Sequence, residues 1–367
     1  MKKRGRGALL SGVTVSVVAL LALGLSALAA ACGSQSSSGA SPTASASASA
    51  TTGTAPDQIR IAWQAIPNGD LIVKNEGWLE AAYPNTKIDW VKFDSGADVN
   101  TAVLAGSVDI GLAGSSPVTK GLCPPDEIPY KVPWIFDVIG AAESLVAKNG
   151  SGVTNVKDLV GKKVGTPFGS TSHYSLLAAL DIAGVVASKV KIVDLQPPDI
   201  LAAWQRGDID AAYVWNPTLA ELQKDGTTLV TSEELAKQGK VTADLAVVTN
   251  AFSEKYPDVV QKWLDLQNKA VKLYETDPQA AGKDVAAQLN ITASEALDQM
   301  KGLILLNATK QAGADYLGTP GAPGKLANNL ESAAEFLKTQ GVIQTVPPLS
   351  TFQDALANQY VATAAGK

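Results

Sequence analysis

Short apolar stretches separated by polar, glycine- and proline-rich turns recur along the chain from Asp57 onward. Residues 58–63 read as a first buried strand, and residues 87–93 alternate apolar and polar positions, the period of a strand. Between them Leu71, Ile72, Trp78 and Leu79 recur at helical spacing. Asp98 opens a further helix, and residues 109–112 follow as a short strand. Residues 134–139, 144–148, 163–166, 191–195, 211–215 and 244–249 read as strands, with helices over 174–182 and 199–206. The proline-dense segment 122–133 reads as irregular. Beyond Pro257 the pattern is helical, with Trp263, Leu264, Leu266 and Leu273 on one apolar face. Alternation of strand and helix predicts a largely parallel sheet covered by helices.

One phrase of this pattern occurs twice. AVLAGSVDIGLAGSSP at residues 102–117 is echoed by AAWQRGDIDAAYVWNP at residues 202–217. Each copy runs from an apolar helix end through Gly (Gly106, Gly207) and Asp (Asp109, Asp210) into an apolar run that ends just before Pro (Pro117, Pro217). The separation is too long for a solenoid repeat, whose period is about 20–50 residues. It predicts two similar α/β lobes facing each other. Strand ends and helix N-termini would then line a cleft suited to a small anion.

The first fifty residues follow a different logic. Lys2, Lys3, Arg4 and Arg6 precede an apolar, small-residue run over 8–31, the layout of an export signal. Leu28, Ala29, Ala30 and Ala31 before Cys32 predict a lipoprotein signal over residues 1–31, with Cys32 as the lipidated first mature residue. Ala29 stands where Leu is usual, so plain secretory cleavage and a retained membrane anchor are the alternatives. Residues 33–56 are nearly all Ser, Ala, Thr and Gly; they cannot offset their ordering entropy by burial and predict a flexible tether. The expected organisation is signal 1–31, tether 32–56, a first lobe from 57–144 with 244–367, and a second from 145–243.

Charge and rare residues narrow the chemistry. A formal net charge of −5, without a basic tract, argues against nucleic acid as a partner. The chain has two cysteines and a single histidine, His173. With Cys32 lipidated, Cys123 has no disulfide partner and is expected to be a half-buried structural thiol. No metal-ligand cluster and no nucleophile–base constellation is readable, and GSTSHYS is not a GxSxG elbow. Asp208 and Asp210 are adjacent carboxylates, but the echo makes Asp210 a turn residue like Asp109. No catalytic residue, metal or cofactor is expected.

Three loop–helix junctions carry the candidate site. In Gly114-Ser115-Ser116-Pro117, Ser116 is the expected N-cap and Pro117 the first helical residue. Gly169-Ser170-Thr171-Ser172-His173-Tyr174 offers hydroxyls and free N–H groups at a second helix start. It lacks the Lys of a phosphate-binding loop and suits one small anion. Ordinary helix capping is the competing explanation for both. Trp215-Asn216-Pro217 would place an aromatic wall at the cleft, able to pack on a cation.

FDSGA at 93–97, GSSP at 114–117, ESLV at 143–146, HYSLLAAL at 173–180, LQPP at 195–198 and AAWQRGDIDAAYVW at 202–215 closely resemble the substrate-binding proteins of taurine ABC importers, within a wider group for aliphatic sulfonates and nitrate. The resemblance spans residues 59 to about 249 and, more loosely, the helical remainder. It implies an α/β type II periplasmic-binding-protein fold: two Rossmann-like lobes joined by two crossover strands around a central cleft. It implies a ligand with a sulfonate against Ser115, Ser116, Ser170, Thr171, Ser172 and His173, and an ammonium met by Asp244, with Glu143 as the reserve carboxylate. Trp215 would form a wall, and Gln64 and Asn68 would reach the cleft from the turn WQAIPNGD at 63–70. That turn and GLCPPDEIPYKVPW at 121–134 depart from the family pattern and would reshape the cleft rim.

The resemblance therefore implies a monomeric, lipid-tethered receptor outside the cytoplasmic membrane, delivering taurine to ABC permease subunits driven by a cytoplasmic ATPase. The alternatives are a receptor for another sulfonate or nitrate, and an enzyme of the thiamine-pyrimidine-synthesis type on the same fold. The enzyme would need several His or Cys residues around the cleft. A sensor domain would need a transmembrane helix leading to an output domain. Cys32→Ser is expected to release the protein from the membrane without altering ligand affinity. A variant that stays in the membrane fraction would show that the apolar run is itself the anchor.

Overall fold

The computed structural model describes residues 55–367. The signal over residues 1–31, Cys32 and the tether up to residue 54 lie outside the described residues. Strands β1 (Gln58–Trp63), β2 (Lys87–Lys92), β3 (Ile110–Gly114), β4 (Tyr130–Ile139), β5 (Glu143–Lys148), β6 (Lys163–Thr166), β7 (Lys191–Asp194), β8 (Ala211–Trp215), β9 (Gly226–Thr231), β10 (Ala243–Thr249) and β11 (Leu303–Ile304) build two sheets. Their orders are β11-β4-β10-β3-β1-β2 and β7-β6-β8-β5-β9. β3 lies between parallel β1 and antiparallel β10, and β8 between parallel β6 and antiparallel β5. The echoed strands thus hold equivalent places in two α/β lobes. Both sheets are mixed rather than largely parallel, because β10 re-enters the first sheet, and β5 enters the second, in the opposite sense.

The repeated aspartates explain part of this equivalence. Asp109 Oδ2 accepts the backbone N–H of Arg60 at 2.9 Å, and the Asp109 N–H donates to Arg60 O. Asp210 Oδ2 accepts the N–H of Lys163 at 2.8 Å, and the Asp210 N–H donates to Lys163 O. Each carboxylate ties the start of the echo strand to its parallel neighbour, a structural role in both lobes. Gly106 and Gly207, at φ of 65° and 77°, turn the chain out of the preceding helix. That is the left-handed region in which a Cβ is costly.

Helices α1 (Gly69–Asn75), α2 (Trp78–Ala82), α3 (Gly96–Leu104), α4 (Ser115–Leu122), α5 (Thr171–Ile182) and α6 (Pro197–Arg206) follow the strands. Two boundaries differ from the sequence reading. α4 begins at Ser115, with extended Gly114 as its cap, so Ser116 is not the N-cap and Pro117 is the third helical residue. Pro is tolerated there because first-turn N–H groups lack helical partners. β4 begins at Tyr130, inside the segment expected to be irregular, and Pro133 falls where the β4–β10 register shifts. A strand proline fits such an irregularity because no ladder N–H is needed.

Between Ile139 and Glu143 the chain leaves the first sheet for the second, and it returns between Thr231 and Ala243. The first passage is pinned by Gly302, whose carbonyl accepts the N–H groups of Gly140 and Ala142, both at 3.1 Å. Trp263, on the long helix Pro257–Thr276, meets Phe136 edge-on at 5.9 Å and covers the first sheet. The helix Leu326–Thr339 brings Phe336 edge-on to Tyr174 of α5 at 5.1 Å, so the C-terminal part reaches the second lobe. Cys123 is fully buried rather than half-buried, and burial pushes its thiol up to about 11, which makes it inert. No helix of the described residues is long and apolar enough to cross a membrane.

Asp109→Ala and Asp210→Ala are each expected to lose about 1–3 kcal/mol of stability by urea unfolding. Asp109→Ala should lose more, since that carboxylate also pairs with the Arg60 guanidinium at 2.6 Å. A variant with unchanged stability and weakened ligand binding would instead assign that aspartate to the cleft.

Candidate functional site

The two sheets point their strand ends at a small cavity between them. Gly114 ends β3, Ser170 caps α5, Trp215 ends β8, and Asp244 lies early in β10; all line it. Gln64, just after β1, also lines it and donates from Nε2 to Leu112 O at 2.9 Å. The described lining residues include no Lys, Arg or His.

Part of the cavity is built from helix starts. Ser170 Oγ donates to Pro167 O at 2.6 Å and accepts the His173 N–H at 3.1 Å, so its hydroxyl is fully used in capping α5. Ser115 Oγ accepts the Ala243 N–H at 3.2 Å, which leaves its own proton to donate. Ser116 is buried, and no described residue hydrogen-bonds its hydroxyl. The first-turn N–H groups of α4 and α5 have no helical acceptors, so both helix dipoles present positive ends here.

Acidic groups adjoin these helix starts: Asp244 is the ladder partner of Gly114, and Glu143 meets Thr171. Asp137 of β4 and Asp244 of β10 are cross-strand partners, 0% and 5% exposed, and their carboxyl groups meet. Asn68 caps α1 with Oδ1 and donates from Nδ2 to Asp137 Oδ2 at 3.0 Å. Asp137 Oδ1 is buried and receives no donor. Burial pushes Asp137 up to about 7, against the Asn68 hydrogen bond. Burial, together with the neighbouring Asp137 and Glu143 charges, raises Asp244 well above the usual carboxylate range.

Glu143 begins β5 opposite Trp215 and is 1% exposed. It accepts hydroxyl protons from Thr171 at 2.5 Å, Ser232 at 3.0 Å and Ser175 at 3.3 Å. Burial raises it, and these hydroxyls oppose the rise. Its oxygens are thus committed within the second lobe, although its side chain borders the cavity.

Gln64, Glu143, Ser170, Thr171, Trp215 and Asp244, of the residues singled out from the sequence, border the cavity directly. Asn68 stands behind it on Asp137, and Ser115 and Ser116 lie at the α4 start. Three expected roles change. The Thr171 hydroxyl donates to Glu143 rather than into the cavity. Ser172 is fully buried and does not border the cavity. His173 is turned away: its ring stacks on Phe168 at 4.6 Å, and Nδ1 accepts the Gly169 N–H at 3.2 Å. Burial lowers its pKa, so it is neutral and supplies no cation to an anion. Asp137 and Asn216 were missed. Asp137 carried a signal, as the lone acid in an apolar strand. Asn216 borders the cavity and uses Oδ1 to accept the Ala220 N–H at 3.1 Å, leaving its amide N–H groups to donate. No group of three or more metal-ligating side chains is placed for a metal among the described residues.

A two-lobed α/β body whose sheet ends meet around a small polar cavity defines a solute-binding protein. The profile of the NMT1/THI5-like family matches residues 73–281. The chain is 37% identical over 265 residues to the taurine-binding periplasmic protein of Escherichia coli, covering 71% of this chain and 79% of that protein. It is 31% identical to a putative aliphatic sulfonates-binding protein of Bacillus subtilis, over 58% of this chain and 64% of that one. The fold matches the alkanesulfonate-binding protein SsuA of Xanthomonas axonopodis with a TM-score of 0.68 and 21% identity, over 83% of this chain and 99% of that one. The chain belongs to the NMT1/THI5-like family, in its taurine and sulfonate group of periplasmic solute-binding proteins.

The lobes touch at Gly114. A Cβ there would stand 2.6 Å from Thr171 Cγ2, across the cleft. Gly114→Ala is expected to hold the lobes apart at a cost of about 1–3 kcal/mol, about tenfold in affinity, read by titration with a small sulfonate. Adding Thr171→Ser removes the clashing methyl, keeps the hydroxyl on Glu143, and should restore binding. Without that rescue, the clash is not the cause.

Proposed function

We propose that this protein captures taurine between its lobes as the receptor of an ABC importer. The observation that carries this reading is the mixed lining of the cavity: two helix starts and amide donors together with a buried carboxyl, and no cation among the described lining residues. A ligand with a sulfonate and an ammonium matches both. The sulfonate meets the first-turn N–H groups of α4 and α5 with the hydroxyls of Ser115 and Ser116, and the Asn216 amide faces the same space. Charge-assisted hydrogen bonds of this kind contribute about 1.5–3 kcal/mol each. The ammonium meets Asp244, beside the Trp215 ring. The 37% identity to a taurine-binding protein supports the same ligand.

The protein is read as a binding protein and not an enzyme: the cavity offers recognition of both charges, and the matched relatives are binding proteins. Export, lipid attachment through Cys32 and delivery to permease subunits complete the reading, with the lobes divided near residues 144 and 244 as expected, save that β5 places Glu143 and Ser144 with the second sheet. The second reading, a receptor for alkanesulfonates without an amine, is favoured by the sulfonate-binding relatives.

Asp244→Asn separates the two. Burying an ammonium without a carboxylate is costly, so the variant should lose at least about 2 kcal/mol of taurine affinity by calorimetry. Ethanesulfonate, similar in shape without the amine, should bind unchanged or more tightly. Equal losses for both ligands would remove Asp244 from ammonium recognition and favour the second reading.

A further inference from the structure

The Asp137–Asp244 pair does more than supply one counter-charge. Asp244 borders the cavity, and Asp137 lies directly behind it, fully buried. Asn68 occupies Asp137 Oδ2, and Oδ1 has no donor. Two ionised carboxylates cannot sit together in a site out of water without a cation. The other ionisable group acting on the pair is Glu143, from β5 of the opposite lobe, which adds negative charge. Asn68, ahead of α1, and Gly114 of β3, opposite Asp244 in the ladder, are uncharged. Asp244 is the member that can hold a proton and donate it to Asp137.

We infer that Asp137 and Asp244 share one proton in the empty cleft and release it when a ligand ammonium arrives, so that capture of an aminosulfonate is a proton exchange. The inference rests on the taurine reading and deepens it. The Asp244 O–H bond breaks, and the proton leaves to water or buffer. The ligand's ammonium, still carrying its own three protons, donates to the Asp244 carboxylate in its place. The net charge of the carboxyl pair with its occupant is then unchanged. A sulfonate without an amine offers no replacement, so the pair keeps its proton. Asp137 becomes a positioning residue: it sets the protonation of Asp244 without touching ligand.

The sign of the pH dependence follows. Asp137 is raised to about 7 and Asp244 well above the usual carboxylate range, so the empty pair still holds a proton near pH 7. Releasing one proton on binding makes taurine affinity rise with pH, by up to about tenfold per unit, until the empty pair is itself ionised. In the empty protein the same shift acts oppositely. The folded state binds more protons than the unfolded one, so stability is lost as pH rises from about 4 toward about 7.

The test is calorimetry of the purified full chain with taurine and ethanesulfonate, in buffers of different ionisation enthalpy, from about pH 5.5 to about 8. Taurine binding should release up to one proton, and ethanesulfonate none. Asp137→Asn keeps an acceptor for Asn68 and gives Asp244 an N–H partner in place of the carboxyl. Burial and Glu143 still act on Asp244 in this variant, so it should release its proton over a lower pH range than the wild type. Wild-type taurine binding with heats independent of buffer would overturn the proton exchange and leave the taurine reading standing. Release by Asp137→Asn over an unchanged pH range would also overturn it, because Asp137 would then not set the protonation of Asp244. No taurine binding at any pH would overturn the ligand reading, and the exchange with it.

Discussion

Three carboxyl groups, Asp137, Glu143 and Asp244, are removed from water where the two sheets meet, with no cationic residue among the described cavity lining. Each must be neutralised, hydrogen-bonded or met by a ligand charge. The protein meets this constraint differently at each position. Glu143 takes hydroxyl protons from α5 and from Ser232, which lock the second lobe around it. Asp137 takes the amide of Asn68, whose other atom caps α1. Asp244 is left facing the cavity. Much of the local architecture, from the turn before α1 to the hydroxyl-rich start of α5, serves to hold acidic groups that would otherwise repel one another.

The same arrangement explains how recognition divides between the lobes. Both contribute a helix start to the cavity, and the lobes come into contact where Gly114 meets Thr171. The acidic pair belongs to the first sheet alone, across the β4–β10 ladder. A ligand with charge at both ends therefore bridges elements that only the closed cleft brings together. Helix dipoles and fixed N–H groups hold an anion without a lysine or arginine, which suits reversible capture. The commitment of Thr171 to Glu143 ties the start of α5 to the frame of the second lobe. A change in one hydroxyl can thus alter closure as well as direct contact.

The two-lobed plan was legible in the chain because its cause is local and repeated. A left-handed glycine ends a helix, an aspartate caps the neighbouring strand, and an apolar run follows; Gly106 with Asp109 and Gly207 with Asp210 spell this twice. The hydroxyl-rich helix start at Ser170 was legible for a similar reason, since capping chemistry is written within four residues. Trp215 and Asp244 could be placed at strand ends near the cleft because a strand's reach follows from its length. Local pattern misplaced the start of α4 by two residues, because the path out of β3 enters the helix directly at Ser115 and leaves extended Gly114 as the cap.

What the tertiary structure alone decided was direction and partnership. Nothing in HYS shows that the His173 ring stacks on Phe168 instead of facing the cleft, and nothing in GSTS shows that Thr171 donates to a glutamate 28 residues earlier. Asp137 is one acid in an apolar strand, and only the ladder shows that β10 lays Asp244 beside it. The sequence by itself determined the periodicities, the caps and the repeated turn, which depend on backbone preferences over a few residues. Which charged groups share a buried space depends on strand order and register, contacts between segments about a hundred residues apart. The ionisation of those groups, and hence the polarity of the cavity, exists only once both sheets have closed water away from them.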